Sequence, residues 1–176
     1  MLTLTIKVKY IDKTLPKLQQ NEKGDWIDLY SAKELTITNP HIVTATNRNG
    51  NETRQYAEFN RYAIPLNVCM ELPKGYEAIL APRSSTYKNY GIICQNSFGI
   101  IDNTYCGDKD EWGFPSIFMN QGRINIGDRI AQFRVQLSQF APWYVKLKWL
   151  FTNKIRFIEV EHLGNTDRGG YGNSGR

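Results

Sequence analysis

The sequence has no long hydrophobic run. Its most aromatic segment, 143–151, contains Lys146 and Lys148 and falls well short of the roughly 20 apolar residues that a membrane-spanning helix needs. Residues 1–9 alternate apolar and polar side chains and have neither a basic-then-apolar block nor a small-residue cleavage site. We therefore expect a first β-strand there rather than a signal peptide, and no membrane partner.

The sequence also has no cluster of metal-ligating residues and no strong excess of one charge sign. Cys69, Cys94 and Cys106 have no C-x-x-C spacing, and His41 and His162 have no nucleophile or metal-ligand partner at a useful spacing. This pattern disfavours a zinc site and histidine chemistry and fits a reducing cytoplasm. The 22 Lys and Arg residues against 17 Asp and Glu give a charge of +5, but they are scattered. Charge alone therefore does not choose between nucleic acid and a smaller anionic ligand.

Short β-type segments make up most of the chain. They alternate apolar and polar residues or are rich in β-branched ones, and they lie at 2–10, 35–46, 62–72, 76–82, 91–95, 115–119, 129–137 and 155–162. No window carries a sustained helical stripe, and one helical turn is indicated near 88–90. With 176 residues, of which 41% are hydrophobic, the chain is predicted to be one all-β domain, a sandwich or a barrel.

Two segments look like insertions into a minimal β domain. The polar run 46–61 is predicted to be a long hairpin, because Asn49-Gly50 suits a tight turn with positive φ. The aromatic and basic run 140–156 is predicted to form a second hairpin with 155–162. A partner-binding patch is the less favoured interpretation of that run.

The chain changes character after residue 162. Residues 163–176 are rich in glycine and have almost no core residues, so we expect a folded domain at 1–162 and a mobile arm at 163–176. Glycines, hydroxyl groups and Arg168 together suit the wrapping of a phosphate. Such tails are more often merely frayed, so this signal is weak in isolation.

Two further segments could carry chemistry. Arg83, Ser84 and Ser85 follow a strand-like run and offer a cation, two hydroxyls and N–H donors at a turn, although a plain surface turn would have the same composition. Asp102 lies between a strand and a turn, three residues before Tyr105. It is either a turn cap or a general base beside an aromatic wall. Asp28 and Gln132 are two further candidates, and each could instead have a structural role.

These five pieces, in this order and spacing, resemble the five motifs of the homotrimeric dUTPase family. The match runs from Gly24 to Gly175, and the segment 91–107, GIICQNSFGIIDNTYCG, follows the family pattern G-I-x-x-x-N-x-x-G-x-I-D-x-x-Y-x-G. The resemblance implies a jelly-roll-like β-barrel that forms a homotrimer with a mobile C-terminal arm. Each site would take its third motif from one chain, motifs one, two and four from a neighbour, and the tail from the third chain.

The resemblance also implies a reaction. Asp102 would activate a water for attack on the α-phosphorus of dUTP, giving dUMP and pyrophosphate, which limits uracil in DNA and supplies dUMP for dTMP synthesis. Tyr105 would stack under the deoxyribose and exclude UTP. Asn96 and the hairpin backbone, including Gly99 and Ile101, would bind the uracil edge.

The other motifs imply contacts to the triphosphate. Arg83, Ser84, Ser85 and Gln132 would bind phosphates, Arg168 the terminal phosphate, and Asp28 would support Mg²⁺ through water. The remaining fifth-motif residues in the substrate site are Tyr171, Gly172, Asn173 and Ser174. Nucleic acid is then not expected as a partner, and the protein is expected in the cytoplasm, encoded by a bacterium or a phage.

The chain also departs from the family pattern. The tail is two residues shorter than usual between Arg168 and Tyr171, which normally would be a phenylalanine over the uracil. Trp112 and Phe114, in a stretch that most members lack, are alternative aromatic lids over the base. Two other functions stay open: a dCTP deaminase-related nucleotide enzyme, and a regulatory protein that binds a protein partner through its insertions.

Overall fold

The computed structural model describes residues 1–20, 24–47, 49–50 and 53–169. Within these ranges the chain forms fourteen strands and two short helices. The strands are β1 (Leu2–Tyr10), β2 (Ile27–Tyr30), β3 (Leu35–Ile37), β4 (His41–Thr46), β5 (Thr53–Glu58), β6 (Arg61–Pro65), β7 (Val68–Glu71), β8 (Tyr76–Pro82), β9 (Ile92–Cys94), β10 (Gly99–Asp102), β11 (Gly113–Phe118), β12 (Gly122–Ile124), β13 (Arg129–Leu137) and β14 (Thr152–Glu159). The helices are α1 (Thr86–Tyr90) and α2 (Trp143–Leu150). The predicted all-β fold class is confirmed.

The sheets surround one core. The strand orders are β10-β8-β13-β2, β14-β1-β7 and β6-β11-β9, with the pairs β12-β3 and β4-β5 beside them. Leu4, Ile6 and Val8 occupy alternate positions of β1 and are buried, as expected for a strand with one face on a core. Trp112 packs edge-on against Phe133 with ring centroids 5.2 Å apart. The outer face of the four-stranded sheet carries three predicted site residues, Asp28, Asp102 and Gln132.

Several predicted strand bounds are exact, namely those of β1, β8 and β13. The predicted segments 35–46 and 62–72 are each divided into two strands. Pro40 lies between β3 and β4, where it cannot donate to a ladder hydrogen bond. Asn67 lies between β6 and β7 with a φ of +66°, which ends the extended conformation.

The predicted hairpin of 140–156 is wrong. This run contains α2, and the strand after it, β14, pairs in parallel with β1 from Leu2↔Thr152 to Val8↔Glu159. Val145 is buried beside Gly75, and Trp149, one helical turn later, meets Tyr76 edge-on with ring centroids 5.5 Å apart. Those two anchors are four residues apart, so helical periodicity, not alternation, buries this segment.

A hairpin is present as predicted near 46–61, but its bounds differ, because its strands are His41–Thr46 and Thr53–Glu58 and Arg61 already begins β6. β4 and β5 pair antiparallel from His41↔Glu58 to Thr46↔Thr53, and almost all of their residues are exposed. Gly50 has the positive φ, +70°, that the turn needs. The hairpin therefore projects from the body of the domain. Neither helix of the described ranges is long and apolar enough to cross a membrane.

Candidate active site

A first group of predicted residues meets at the C-terminal end of β8. In the four-stranded sheet Asp28 lies opposite Gln132, and Gln132 lies opposite Ala81. Arg83 Nε forms an ion pair with Asp28 Oδ1 at 2.7 Å, and Arg129 Nη1 donates to Asp28 Oδ2 at 3.2 Å. Gln132 Nε2 donates to the carbonyl of Pro82 at 3.1 Å. We call these residues, with Ser84 and Ser85, the phosphate half-site.

A buried threonine shapes the turn that carries Arg83. Thr86 is fully buried; its Oγ1 donates to the carbonyl of Ile130 at 2.8 Å and accepts from the Arg83 N–H at 2.9 Å. This pair of bonds ties the turn to β13 and leaves Ser84 exposed. Sequence reasoning overlooked Thr86, because only its burial and its hydrogen bonds distinguish it from the two serines before it.

A second group surrounds Asp102, at the end of β10. Thr104 donates to Asp102 Oδ1 from its N–H at 2.8 Å and from its hydroxyl. Arg168 Nη1 donates to Asp102 Oδ2 at 2.6 Å and to Thr104 Oγ1 at 2.9 Å. The side chains of Asp102 and Arg168 are each 44% exposed. Asp102 is therefore both a turn cap and a solvent-accessible carboxylate, and we call this group the aspartate half-site.

The contacts of Asp102 set its protonation state. Partial burial raises the pKa of the carboxyl, but the hydrogen bonds from Thr104 and Arg168 lower it more, so the net pKa is below its ordinary value. The group is ionised at neutral pH. Because Thr104 occupies Oδ1, Oδ2 is the oxygen that can accept a proton once Arg168 moves off it.

The hairpin that the family resemblance implied at 96–102 is instead an exposed turn between β9 and β10, which pair with β11 and β8 in two different sheets. Asn96 is exposed and Ser97 has a φ of +63°, while Ile101 is buried. A side chain on Gly99 would touch Leu80 Cβ at 3.4 Å. Tyr105 is half-buried and donates from its hydroxyl to the carbonyl of Glu111 at 3.0 Å. The ring is thereby fixed beside Asp102.

The two half-sites lie far apart within one chain. Asp102 pairs with Glu77, whereas Gln132 pairs with Ala81, and both pairs involve β8. Four residues along a strand correspond to about 13 Å, and β10 and β13 also lie on opposite sides of β8. A single chain therefore presents two separate half-sites on one sheet face.

The aromatic lids predicted at Trp112 and Phe114 are wrong. Both side chains are completely buried, and Trp112 packs in the core against Phe133. A completely buried side chain has no surface with which to cover a ligand. The predicted contacts of Tyr171, Gly172, Asn173 and Ser174 lie outside the described residues.

Sequence reasoning missed one further residue, Asp110. Its carboxylate is fully buried and accepts hydrogen bonds from the N–H groups of Gly107, Arg168 and Gly169. In the sequence it is one of several acidic residues in a polar run. Only its packing against the distant residues 168–169 distinguishes it from them.

Comparison with known proteins gives concordant results. A family model described as dUTPase matches residues 51–141. The SPbeta prophage-derived deoxyuridine 5'-triphosphate nucleotidohydrolase of Bacillus subtilis is 41% identical over 172 residues, covering 98% of this chain and 99% of the relative.

Solved structures share the fold. The crystal structure of the dUTPase from Streptococcus mutans superposes with a TM-score of 0.55 at 20% identity, over 76% of this chain and 93% of that one. A mutant dUTPase from phage phi11 of S. aureus, whose structure describes the coordination of a structural Mg(II) ion, gives 0.55 at 16% identity, over 78% and 97%.

Proposed function

The chain belongs to the dUTPase family, and from that premise we propose that it hydrolyses dUTP to dUMP and pyrophosphate. The observation that carries the proposal is Asp102 itself, an ionised and accessible carboxylate in the third-motif segment, at the end of β10. Such a group can accept a proton from a water that attacks the α-phosphorus. Hydrolysis of the bond to the β-phosphate then releases pyrophosphate.

Arg168 has two anionic ligands available to it. In the structure it contacts Asp102 Oδ2. A triphosphate carries more negative charge than one carboxylate and accepts a guanidinium in the same forked geometry. We infer that the terminal phosphate draws Arg168 away and frees Oδ2 to accept the proton of the attacking water.

Base and sugar selection fits the exposed turn between β9 and β10. The exposed backbone around Asn96 offers fixed donors and acceptors to a uracil edge, and a cytosine would leave some of them unpaired. Tyr105, held by its bond to Glu111, would stack under the deoxyribose and collide with a 2′-hydroxyl. These roles make dUTP a better substrate than dCTP or UTP.

Magnesium fits this site as an ion carried by the substrate. Among the described residues no group of three or more His, Cys, Asp or Glu side chains could hold a metal. Asp28 is already engaged by Arg83 and Arg129, which suits a contact through water better than direct ligation. A bound Mg²⁺ would neutralise triphosphate charge, while Arg83, the exposed Ser84 and Gln132 hold the phosphate oxygens.

The separation of the half-sites supports a homotrimer. Because the phosphate half-site lies about 13 Å along β8 from Asp102, one α-phosphate does not reach both within one chain. A complete site would combine the aspartate half-site of one copy with the phosphate half-site of its neighbour. Residues 1–162 would form the catalytic domain and 163–176 the arm.

Replacement of Asp102 by Asn tests the proposal. We expect Asp102→Asn to bind a non-hydrolysable dUTP analogue and to lose roughly 10²- to 10⁴-fold in kcat, because the general base is removed. The measurements are pyrophosphate release and calorimetric binding. Asp12→Asn is the matched control, since Asp12 Oδ1 likewise accepts bonds from the N–H and hydroxyl of a threonine two residues later.

Two results would contradict the proposal. Near-normal turnover by Asp102→Asn would remove Asp102 from the role of base. Release of ammonia from dCTP by the wild-type protein would instead assign it to the deaminase branch of related enzymes.

A further inference from the structure

Thr104 directs two hydrogen-bond donors at one oxygen of Asp102. Its N–H donates to Asp102 Oδ1 at 2.8 Å, and its hydroxyl donates to the same oxygen. Each carboxylate oxygen has two lone pairs, so these two bonds fill the acceptor capacity of Oδ1 and leave Oδ2 for a reacting group. Because a carboxylate is planar, fixing Oδ1 also fixes the direction in which Oδ2 points.

The same arrangement occurs a second time in the chain, at Asp12 and Thr14 in the loop after β1. The N–H of Thr14 donates to Asp12 Oδ1 at 2.8 Å, and its hydroxyl donates to that oxygen at 2.6 Å. An aspartate side chain bonds in this way to donors two residues later without help from distant residues. The recurrence in two unrelated loops shows that the Asp-x-Thr geometry is local and independent of how other segments pack.

The turn that carries Thr104 is held at both of its ends. Asp102 is the last residue of β10 and lies opposite Glu77 of β8. The Tyr105 N–H donates to the carbonyl of Asp102 at 3.3 Å, and its hydroxyl donates to the carbonyl of Glu111 at 3.0 Å. Thr104 itself is exposed between these two anchors. Its hydroxyl therefore serves the carboxylate and not the packing of the core.

Other titratable groups also face Asp102. Arg168 Nη1 donates to Oδ2 at 2.6 Å, Glu77 lies opposite on β8, and the charge of Asp102 contributes to the raised pKa of the Cys106 thiol. Partial burial raises the pKa of Asp102, and among the contacts that lower it the hydroxyl of Thr104 is the strongest. Removal of that hydroxyl alone leaves all three of these neighbours in place.

We propose that Thr104 is a positioning residue, which holds Asp102 Oδ1 so that Oδ2 faces the attacking water. Oδ2 takes a proton from this water as the water oxygen bonds to the α-phosphorus of dUTP and the bond to pyrophosphate breaks. A general base acts only within hydrogen-bond reach of the proton that it removes, so a carboxylate free to rotate is less effective. This inference rests on the proposed function.

Thr104→Val tests the positioning role, because valine keeps the shape of threonine and the backbone N–H but lacks the hydroxyl. We expect kcat for dUTP to fall about 10- to 100-fold and KM to change by less than about twofold, since the groups that bind the substrate are untouched. Thr104→Ser restores a hydroxyl and should retain most of the wild-type kcat. Equal losses in the two variants would assign the effect to the methyl group and overturn the proposal.

The pH profile separates positioning from a merely structural effect. Loss of the hydroxyl raises the pKa of Asp102, so the acid limb of kcat/KM should move to higher pH in Thr104→Val and stay in place in Thr104→Ser. Thr14→Val is the matched control, because it removes the corresponding bond at Asp12. It should leave both kcat and the acid limb unchanged. An acid limb that does not move in Thr104→Val would contradict the proposal.

A titration without substrate follows the carboxylate directly. In protein labelled with ¹³C at the aspartate carboxyl carbons, the resonance lost in Asp102→Asn identifies Asp102. Its pKa should rise in Thr104→Val and not in Thr14→Val. A wild-type protein without dUTP hydrolysis would refute the proposed function, whereas an active wild type whose Asp102 titrates identically in Thr104→Val would refute this inference alone.

Discussion

Thr86 shows how one buried hydroxyl can organise a turn that carries candidate site residues. It accepts from the N–H of Arg83 and donates to the carbonyl of Ile130, so the turn after β8 is fixed to β13. Arg83 then points at Asp28, and Ser84 is left exposed. The geometry of the phosphate half-site thus depends on a residue beneath it.

Substitution of Thr86 by Val should separate this support from ligand contact. Loss of the hydroxyl leaves a buried carbonyl and N–H unpaired, which we expect to lower the free energy of unfolding by about 1–3 kcal/mol and to raise KM for dUTP. Urea unfolding and steady-state kinetics measure both. Thr86→Ser keeps the hydroxyl and should retain most of the wild-type stability and most of the wild-type KM. Equal changes in Thr86→Ser and Thr86→Val would show that the methyl group matters instead.

Single residues of the site differ in how far the sequence predicts them. Asp102, Arg83 and Gln132 stand in short motifs whose order and spacing carry the information, and the structure brings Arg83 and Gln132 to one end of β8. Asp110 has no such motif, because its burial arises from contacts with residues 58 and 59 positions away. Trp112 was misassigned for the same reason, since burial of an aromatic is a tertiary property.

The element that local patterns predicted least well is α2. Its eight residues span about two turns, too few to show a helical stripe, and its large exposed side chains, Trp143, Tyr144, Leu147 and Leu150, hide the buried Val145 and the partly buried Trp149. β1, β8 and β13 were predicted to the residue because each alternates over at least seven residues against one core. Length and one-sided burial therefore decide which elements a sequence reveals.

The contact between α2 and Gly75 gives a prediction for that element. Gly75 has a φ of +89°, and a Cβ there would lie 3.2 Å from Val145, so Gly75→Ala is both strained and crowded. We expect it to destabilise the protein by about 2 kcal/mol or more, measured by urea unfolding. Gly127→Ala is the matched control, with a φ of +82° but with the nearest atom to its Cβ position, Pro16 Cδ, 4.0 Å away, and should cost only the strain, about 1 kcal/mol. Equal destabilisation by the two substitutions would show that the contact between α2 and residue 75 adds nothing to the backbone strain.

For the whole molecule, the pKa shifts of the carboxyl groups predict how stability changes with pH. Hydrogen bonds and ion pairs lower the pKa values of Asp12, Asp102, Asp108 and Glu161 below their ordinary values, whereas burial raises the pKa of Glu111. A carboxyl with a lowered pKa stabilises the fold above its unfolded pKa and loses that contribution as the pH falls through its folded pKa. The raised pKa of Glu111 changes stability with pH in the opposite direction, but it concerns one group, whereas the lowered pKa values concern four.

We therefore expect the melting temperature to fall as the pH drops from about 5 to 3. Asp108 contributes through the N–H of Leu163 and through Lys9, so Asp108→Asn should make the fall shallower. Scanning calorimetry at several pH values measures this. A melting temperature that rises on acidification would mean that the buried Glu111 dominates.

The parallel pairing of β1 with β14 also orders events during synthesis. Leu2 pairs with Thr152, so the first strand leaves the ribosome about 150 residues before its partner exists, an interval of roughly 8–30 s at cellular elongation rates. During that time one edge of β1 is open to other chains, which makes the nascent protein dependent on dilution or chaperones. Because residues 163–169 follow β14, the contact between Arg168 and Asp102 can form only after this last strand has docked. A chain that stalls before β14 therefore lacks both the partner strand of β1 and this contact.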